Sequence, residues 1–294
     1  MASPARTLAR YQHDASLREL SASITAWHPL TTIPEPDRAL FKPVLDNNKN
    51  NTACAAVAVA LSETIFHPQG GGQPSDRGTI TSRSDPALRL EVSLVRKLPS
   101  GQILHAGSLA GGEACSRPNP DTTQLFEPGH PVLLRLDSAA RDHHSRLHTA
   151  GHLIGLAVRA VEARGLIGPV TELKANHAPG SAWVEFGGSI ASELKADIQA
   201  KVDEYVAADL AVAVRWWDAA TVGEKCRSGL DGVADLPEGE NLFRVVEVVG
   251  LGAYPCGGTH LPSTRDVGRV VVRRVSRAKG RSKVSYEVEP GKWE

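Results

Sequence analysis

The chain has 294 residues, enough for one large or two ordinary domains, and its 41% apolar and 22% charged residues describe a globular protein, not a disordered one. Lys and Arg number 33 against 33 Asp and Glu, so no global positive excess advertises a nucleic-acid partner. No apolar run approaches the roughly 20 residues needed to cross a bilayer, which argues against a helical membrane span.

To about residue 135 the chain reads as mostly β. Residues 55–61, 88–95 and 132–136 are short apolar runs bounded by Gly, Pro, Asn and Ser, the pattern of a small barrel or sandwich. Within this region residues 66–78 read FHPQGGGQPSDRG, with Gly70, Gly71 and Gly72 ahead of Gln73 and Pro74. Three consecutive glycines suit no regular element, and their N–H groups can receive phosphate or ribose oxygens. A Walker loop is excluded, because the Lys-Ser/Thr ending is missing and no helix follows. A plain glycine-rich hairpin loop is the alternative. Residues 111–123 (GGEACSRPNPDTT) read as a variable surface loop.

Composition changes at Asp137-Ser138, a good N-cap pair. A helix is expected from there to Arg164, stopped by Gly165, with Leu147, Ala150, Ile154, Ala157 and Val161 in helical period as its core face. His144, His148 and His152 repeat at i, i+4 along it, on one face and about 5–6 Å apart at Cβ, which offers two candidate ligand pairs. The metalloprotease signature places a Glu between two such histidines as general base. Thr149, Ala150 and Gly151 stand between His148 and His152, which disfavours peptide hydrolysis by that route.

A strand at 182–186, a helix at 191–208 and a strand ending in Trp216-Trp217 follow. Two more strands, 243–249 and 267–275, flank Cys256-Gly257-Gly258-Thr259-His260, and 283–288 supplies a last one. The glycines let a tight turn bring Cys256 and His260 to one centre. With the helical pair they offer three imidazoles and a thiolate, the donor types of a tetrahedral Zn²⁺ shell. Four protein ligands make a closed shell, so a catalytic ion would expand to five-coordinate, have one loose ligand, or mainly orient the substrate's amino group while a separate water attacks; a transient fifth ligand, substrate or water, is expected. Strands and helices segregate, which points to α+β with a largely antiparallel sheet, divided into a barrel domain (1–137) and a zinc-binding domain (138–294). Cysteines at 54, 115, 226 and 256 form no disulfide framework, so a reducing, cytoplasmic setting is expected. Arg269, Arg273, Arg274, Arg277, Lys279, Arg281 and Lys283 crowd together, either as a phosphate-contacting stripe or as a charged guard on an edge hairpin.

These residues together resemble a family. FHPQGGGQPSDRG (66–78), RLHTAGH (146–152), KANHAPGSAWVEF (174–186) and CGGTH followed by Asp266-Val267-Gly268 are similar to the AlaX proteins, free-standing relatives of the editing domain of alanyl-tRNA synthetase. The resemblance implies hydrolysis of the ester between a wrong amino acid, serine or sometimes glycine, and tRNA(Ala), at a zinc site. It implies His148, His152, Cys256 and His260 as ligands and leaves His144 outside the motif. It implies further that Thr171 recognises the substrate hydroxyl, and that Gln73 and Gly70 to Gly72 line the pocket. Lys174 and His177 would contact the terminal adenosine or a phosphate near the cleft; from the basic stripe, and not from the resemblance, Arg273 and Arg274 are expected to contact the tRNA. The resemblance places a first strand near Leu8, which leaves little room for a transit peptide despite Arg6 and Arg10. A monomer or weak homodimer acting in trans is expected. One departure concerns residues 251–255, Leu-Gly-Ala-Tyr-Pro, where the family often carries an acidic residue before CGGTH. Other readings are an RNA-binding module with a structural zinc and a deacylase for a mischarged threonine-type tRNA.

Overall fold

The computed structural model describes residues 6–48, 56–110, 127–227 and 241–289. The loop expected at 111–123 lies outside the described residues, as do Cys54 and Cys115; Cys226 and Cys256 are free thiols. The chain is α+β and divides into two compact units. One comprises Met1–Gln69 with Ser75–Arg141, the other Gly70–Pro74 with Asp142–Glu294. The five residues carrying Gly70 to Gln73 therefore belong with the second unit.

The first unit opens with a short parallel pair, β1 (Leu8–Ala9) and β4 (Glu63–Thr64). Its body is a closed barrel of β2 (Glu19–Pro29), β3 (Ala56–Leu61), β7 (Ile103–Ala110), β6 (Arg89–Lys97), β5 (Gly78–Ser82) and β8 (Pro131–Leu136), in that spatial order, with β8 pairing back onto β2. Closure removes the exposed edges that an open sheet would present. Strand β3, AVAVAL, is buried at every position. Its Val57, Val59 and Leu61 join one core cluster with Ile24, Ile80, Leu90 and Leu134. Alternation turns Ala56, Ala58 and Ala60 to the other face, where Leu30, Ile33, Phe41 and Val44 cover them. These covering residues come from a helical segment that includes α1 (Glu35–Arg38) and α2 (Lys42–Asn48), two short helices with no clear sequence signal. Asp76, from the glycine-rich motif, and Arg141 form a fully buried ion pair. Arg141 also donates to the carbonyls of Ile65 (2.6 Å) and Ala15 (3.0 Å), and Asp76 accepts the His67 N–H, so this pair is hydrogen-bonded throughout.

The second unit is built on α3 (Ser138–Ala163), whose expected core face, Leu147, Ala150, Ile154, Ala157 and Val161, is buried. Leu153, Leu156 and Val158 are buried as well, so from about residue 144 to 158 the helix is enclosed all round instead of amphipathic. Around it stand a four-stranded antiparallel sheet in the order β14 (Val270–Ala278), β15 (Arg281–Val288), β10 (Trp183–Gly187), β9 (Thr171–Asn176), and a three-stranded sheet β11 (Val212–Trp217), β12 (Phe243–Val248), β13 (Gly252–Pro255). Two helices complete it, α4 (Lys195–Ala207) and α5 (Ala219–Lys225); the latter is N-capped by Asp218, which accepts from Thr221 N. Strand β9 carries a bulge opposite Glu185/Phe186. Glu172 pairs with inward-facing Phe186 and Lys174 with outward-facing Glu185, so the bulge at Leu173 reverses the alternation between the two.

Candidate metal centre

Four side chains from two distant stretches converge. His148 and His152 come from one face of α3, and Cys256 and His260 from the turn after β13, with one donor atom of each lying within 4.8 Å of all the others. Cys256 Sγ stands 3.5 Å from His148 Nε2 and 3.3 Å from His260 Nε2. Zn–S near 2.3 Å and Zn–N near 2.0 Å give tetrahedral N···S edges of roughly 3.5 Å, so these separations suit one ion between them. His144 is not among the converging donors.

Neighbouring hydrogen bonds fix which ring nitrogen His148 and His260 present. Gln73 Oε1 accepts the Thr259 backbone N–H at 3.0 Å, which sets the orientation of its amide, and Gln73 Nε2 donates to Thr259 Oγ1 at 2.9 Å. His148 Nδ1, 2.7 Å from the same Oε1, must therefore carry a proton, leaving the Nε2 lone pair toward Cys256. Thr149 Oγ1 donates to the Ser145 carbonyl at 2.8 Å and accepts from Leu261 N. It is thus an acceptor for His260 Nδ1–H at 3.2 Å, and His260 too presents Nε2. In His152, Nδ1 is buried with no hydrogen-bond partner among the described residues. An orphaned buried nitrogen inside a His₃Cys set is a donor suited to a cation, and partners that lock the tautomers are the usual surroundings of metal ligands. The donor set fits a zinc-type ion.

Electrostatics agree in part. Burial holds His152 well below its ordinary pKa, aided by Arg159 and Arg244, so it is neutral as a ligand must be. Burial pushes the Cys256 thiol up, against the pull of the Arg244 guanidinium and the Gly258 N–H, both of which favour thiolate. Arg244 also donates to the Cys256 carbonyl. Two glycines allow the close approach. A Cβ on Gly258 would lie 2.2 Å from His148 Cε1, and one on Gly151 would lie 2.3 Å from His177 Cε1.

The remaining expected site residues divide. His177 is buried and stacks on His148 with ring centroids 4.3 Å apart, and its backbone N–H donates to Gly72 O. Tyr286 Oη donates to Leu147 O and accepts from His177 Nδ1 at 2.6 Å, so His177 keeps Nε2 as an acceptor; burial lowers its pKa to about 4. Lys174 is exposed on the outer face of the sheet, ion-paired with Glu185, because the bulge turns it away from the face that Glu172 shares with α3. Thr171 lies exposed at the start of β9, paired with Gly187, and makes no hydrogen bond to the cluster among the described residues. Arg273 is ion-paired with Glu287, and Arg274 is exposed on β14.

Residues without a signature in the sequence complete the surroundings. Ser145 and Thr259 share a 2.7 Å hydrogen bond beneath the cluster. Tyr254 stands where an acidic residue was expected, its ring 4.4 Å from that of His152. The buried carboxyl there comes from Glu172 on β9, with its pKa raised by burial against the pull of Arg159 and of the nearby Tyr254 hydroxyl. Gly155 makes room for both: a Cβ on it would meet Tyr254 Oη at 2.5 Å and Glu172 Oε2 at 2.6 Å. Only tertiary packing brings β9 and β13 to the same turn of α3.

Comparison with known proteins agrees with this geometry. Residues 243–283, which include the Cys256 turn, match the family model described as the threonyl and alanyl tRNA synthetase second additional domain. The chain is 28% identical over 220 residues to the alanyl-tRNA editing protein AlaX-L of Pyrococcus horikoshii, covering 74% of this chain and 48% of that protein. It is 31% identical over 222 residues to the alanine–tRNA ligase of Kineococcus radiotolerans, and 30% over 219 residues to that of Methanothermobacter thermautotrophicus, covering 74% of this chain and 22% of each ligase. The chain thus spans about half the length of AlaX-L and under a quarter of the ligases. On the matched family model, these relatives and the converging His148, His152, Cys256 and His260, the chain is similar to the AlaX proteins and to the matching part of alanine–tRNA ligases.

Proposed function

We propose that this protein is an aminoacyl-tRNA deacylase that clears mischarged tRNA(Ala), chiefly of serine and also of glycine, using a zinc ion held by His148, His152, Cys256 and His260. The observation that carries the reading is the convergence of those four donors, with His148 and His260 each held in one tautomer by a hydrogen bond. The names of the relatives, an alanyl-tRNA editing protein and alanine–tRNA ligases, support the choice of tRNA. When bound, zinc supplies Lewis-acid polarisation of the ester. The chain's own residues do the rest. Gln73 and Thr149 orient the imidazoles of His148 and His260, so Gln73 is a positioning residue whose amide oxygen is committed to His148 and Thr259. His177 offers an acceptor nitrogen beside His148, and Gly71 and Gly72 offer backbone N–H groups for the tRNA terminus, the Gly70 N–H being taken by the Gln73 carbonyl. Thr171 is left out of the reacting set, since it lies on the face opposite Glu172; Arg273 is already neutralised by Glu287, which leaves Arg274 the freer cation of the pair. Serine and alanine differ by one hydroxyl, a difference an apolar pocket resolves by only about 100-fold, which gives such an activity its purpose. The chemistry belongs to the second unit, and a reducing cytoplasm keeps Cys256 a thiol.

The test is side-by-side deacylation of Ser-, Gly- and Ala-tRNA(Ala) by the purified protein. Release of serine and glycine with Ala-tRNA(Ala) spared is expected, with the activity lost in His148→Ala and Cys256→Ala while circular dichroism stays unchanged. A second reading, an RNA-binding module with a structural zinc, draws on the deep burial of His148 and His152 and on the four-ligand shell. Zinc-dependent folding without turnover of any charged tRNA would favour it.

A further inference from the structure

The outer face of the four-stranded sheet carries a feature that the metal centre does not use. Register places Lys283 opposite both Glu185 and Ser276, and Lys174 opposite Glu185 on the far side. Val184, Phe186, Ser282 and Tyr286 turn to the buried side. The cations of this face are held in place. Glu185 carboxylate oxygens lie 3.6 Å from Lys174 Nζ and 3.4 Å from Arg281, and Lys283 Nζ sits 3.9 Å over the Trp183 ring. Where the β14–β15 hairpin turns, a cavity of about 420 Å³ is lined by Lys279, Arg281, Lys283, Ser276, Ser282 and Glu185.

Two details point to a ligand for this cavity. Lys279 has φ +51° and the following Gly280 φ +71°, and Ala278 pairs with Arg281, so Lys279-Gly280 is a two-residue hairpin turn of the mirror-image kind. Its first position favours Asn, Asp or Gly, yet a cation occupies it at a cost in backbone strain. The second concerns edge protection. β15 is an interior strand, flanked by β14 and β10, so Lys283 and Arg281 guard no exposed edge. Arg269 and Arg273, by contrast, are neutralised by Glu289 and Glu287. Lys279 and Lys283 have no carboxylate partner among the described residues.

We propose that this concave basic face is the docking surface for the phosphate backbone of an RNA, and that the RNA is the tRNA of the activity proposed above. Three cations around one cavity, of which Arg281 is held by Glu185 and Lys283 by the Trp183 ring, together with the Ser276 hydroxyl suit the charged oxygens of a phosphodiester, and the pre-positioned side chains lose little freedom on binding. The identity of the RNA rests on the deacylase reading; the phosphate chemistry does not.

The experiment measures binding of uncharged tRNA(Ala) to the full chain across a salt series, for wild type, Lys279→Ala/Lys283→Ala and Arg269→Ala, together with deacylation of Ser-tRNA(Ala). The double variant is expected to bind on the order of tenfold more weakly near 0.1 M salt, with the salt slope reduced by about two, one for each lysine that no longer neutralises a phosphate. Its kcat at saturating substrate should be unchanged and its KM raised, while Arg269→Ala behaves as wild type. Unchanged affinity and slope in the double variant would overturn the proposal, as would a wild type that binds no tRNA. If wild type binds with the expected slope but releases no amino acid, the deacylase reading fails and the docking surface stands.

Discussion

At the scale of single residues, the centre depends as much on the partners of its donors as on the donors. Gln73 joins the glycine motif to both ligand stretches, accepting from His148 Nδ1 and Thr259 N through one oxygen. Gln73→Ala would free the His148 ring to change tautomer and leave a buried N–H unpaired, so zinc affinity should fall about 10–100-fold. Gln73→Glu, which keeps the acceptor, should restore most of it; competition against a chelator reads both. The ligands were legible in the sequence because histidine and cysteine at i, i+4 spacing carry their chemistry openly. Their orienting partners were not. Ser145, Thr149 and Thr259 are ordinary hydroxyls until the fold sets them against an imidazole, and Tyr254 and Glu172 meet only through tertiary packing.

At the scale of elements, α3 was readable from its periodicity and its Asp137-Ser138 start, because a core-facing stripe repeats at helical spacing whatever surrounds it. Strand β9 was not. Its sequence, TELKAN, alternates poorly, and the bulge at Leu173 sends Lys174 to the face opposite the one expected, where it pairs with Glu185. The FHPQGGGQPSDRG stretch also resolves into two devices. Gly72 and Gln73 approach His177 and His148, whereas Asp76 is buried in the first unit against Arg141. Removing one partner of such a pair strands a charge in the interior. Asp76→Ala should therefore cost about 3–5 kcal/mol of stability, visible as a lowered urea midpoint. An unchanged midpoint would show that the pair is solvated in solution.

At the scale of the whole molecule, the segregation of strands and helices announced the α+β class, and AVAVAL announced a core strand. The helical cover over its alanines was hidden, since short helices such as α1 and α2 carry too few residues to show a period. A balanced net charge concealed the local crowding of cations on one hairpin of the second unit, where Arg273 and Arg281 are ion-paired and Lys279 and Lys283 have no carboxylate partner among the described residues. What the second unit achieves is to bring residues more than a hundred positions apart to one point, His148 beside Cys256.

Cobalt substitution tests that convergence most directly. Co²⁺ added to metal-free protein should bind one ion per chain with the intense visible absorption of a tetrahedral site and a thiolate-to-cobalt band in the near ultraviolet, and Cys256→Ser should abolish that band. A weak octahedral spectrum, indifferent to Cys256→Ser and His148→Ala, would contradict a shared centre.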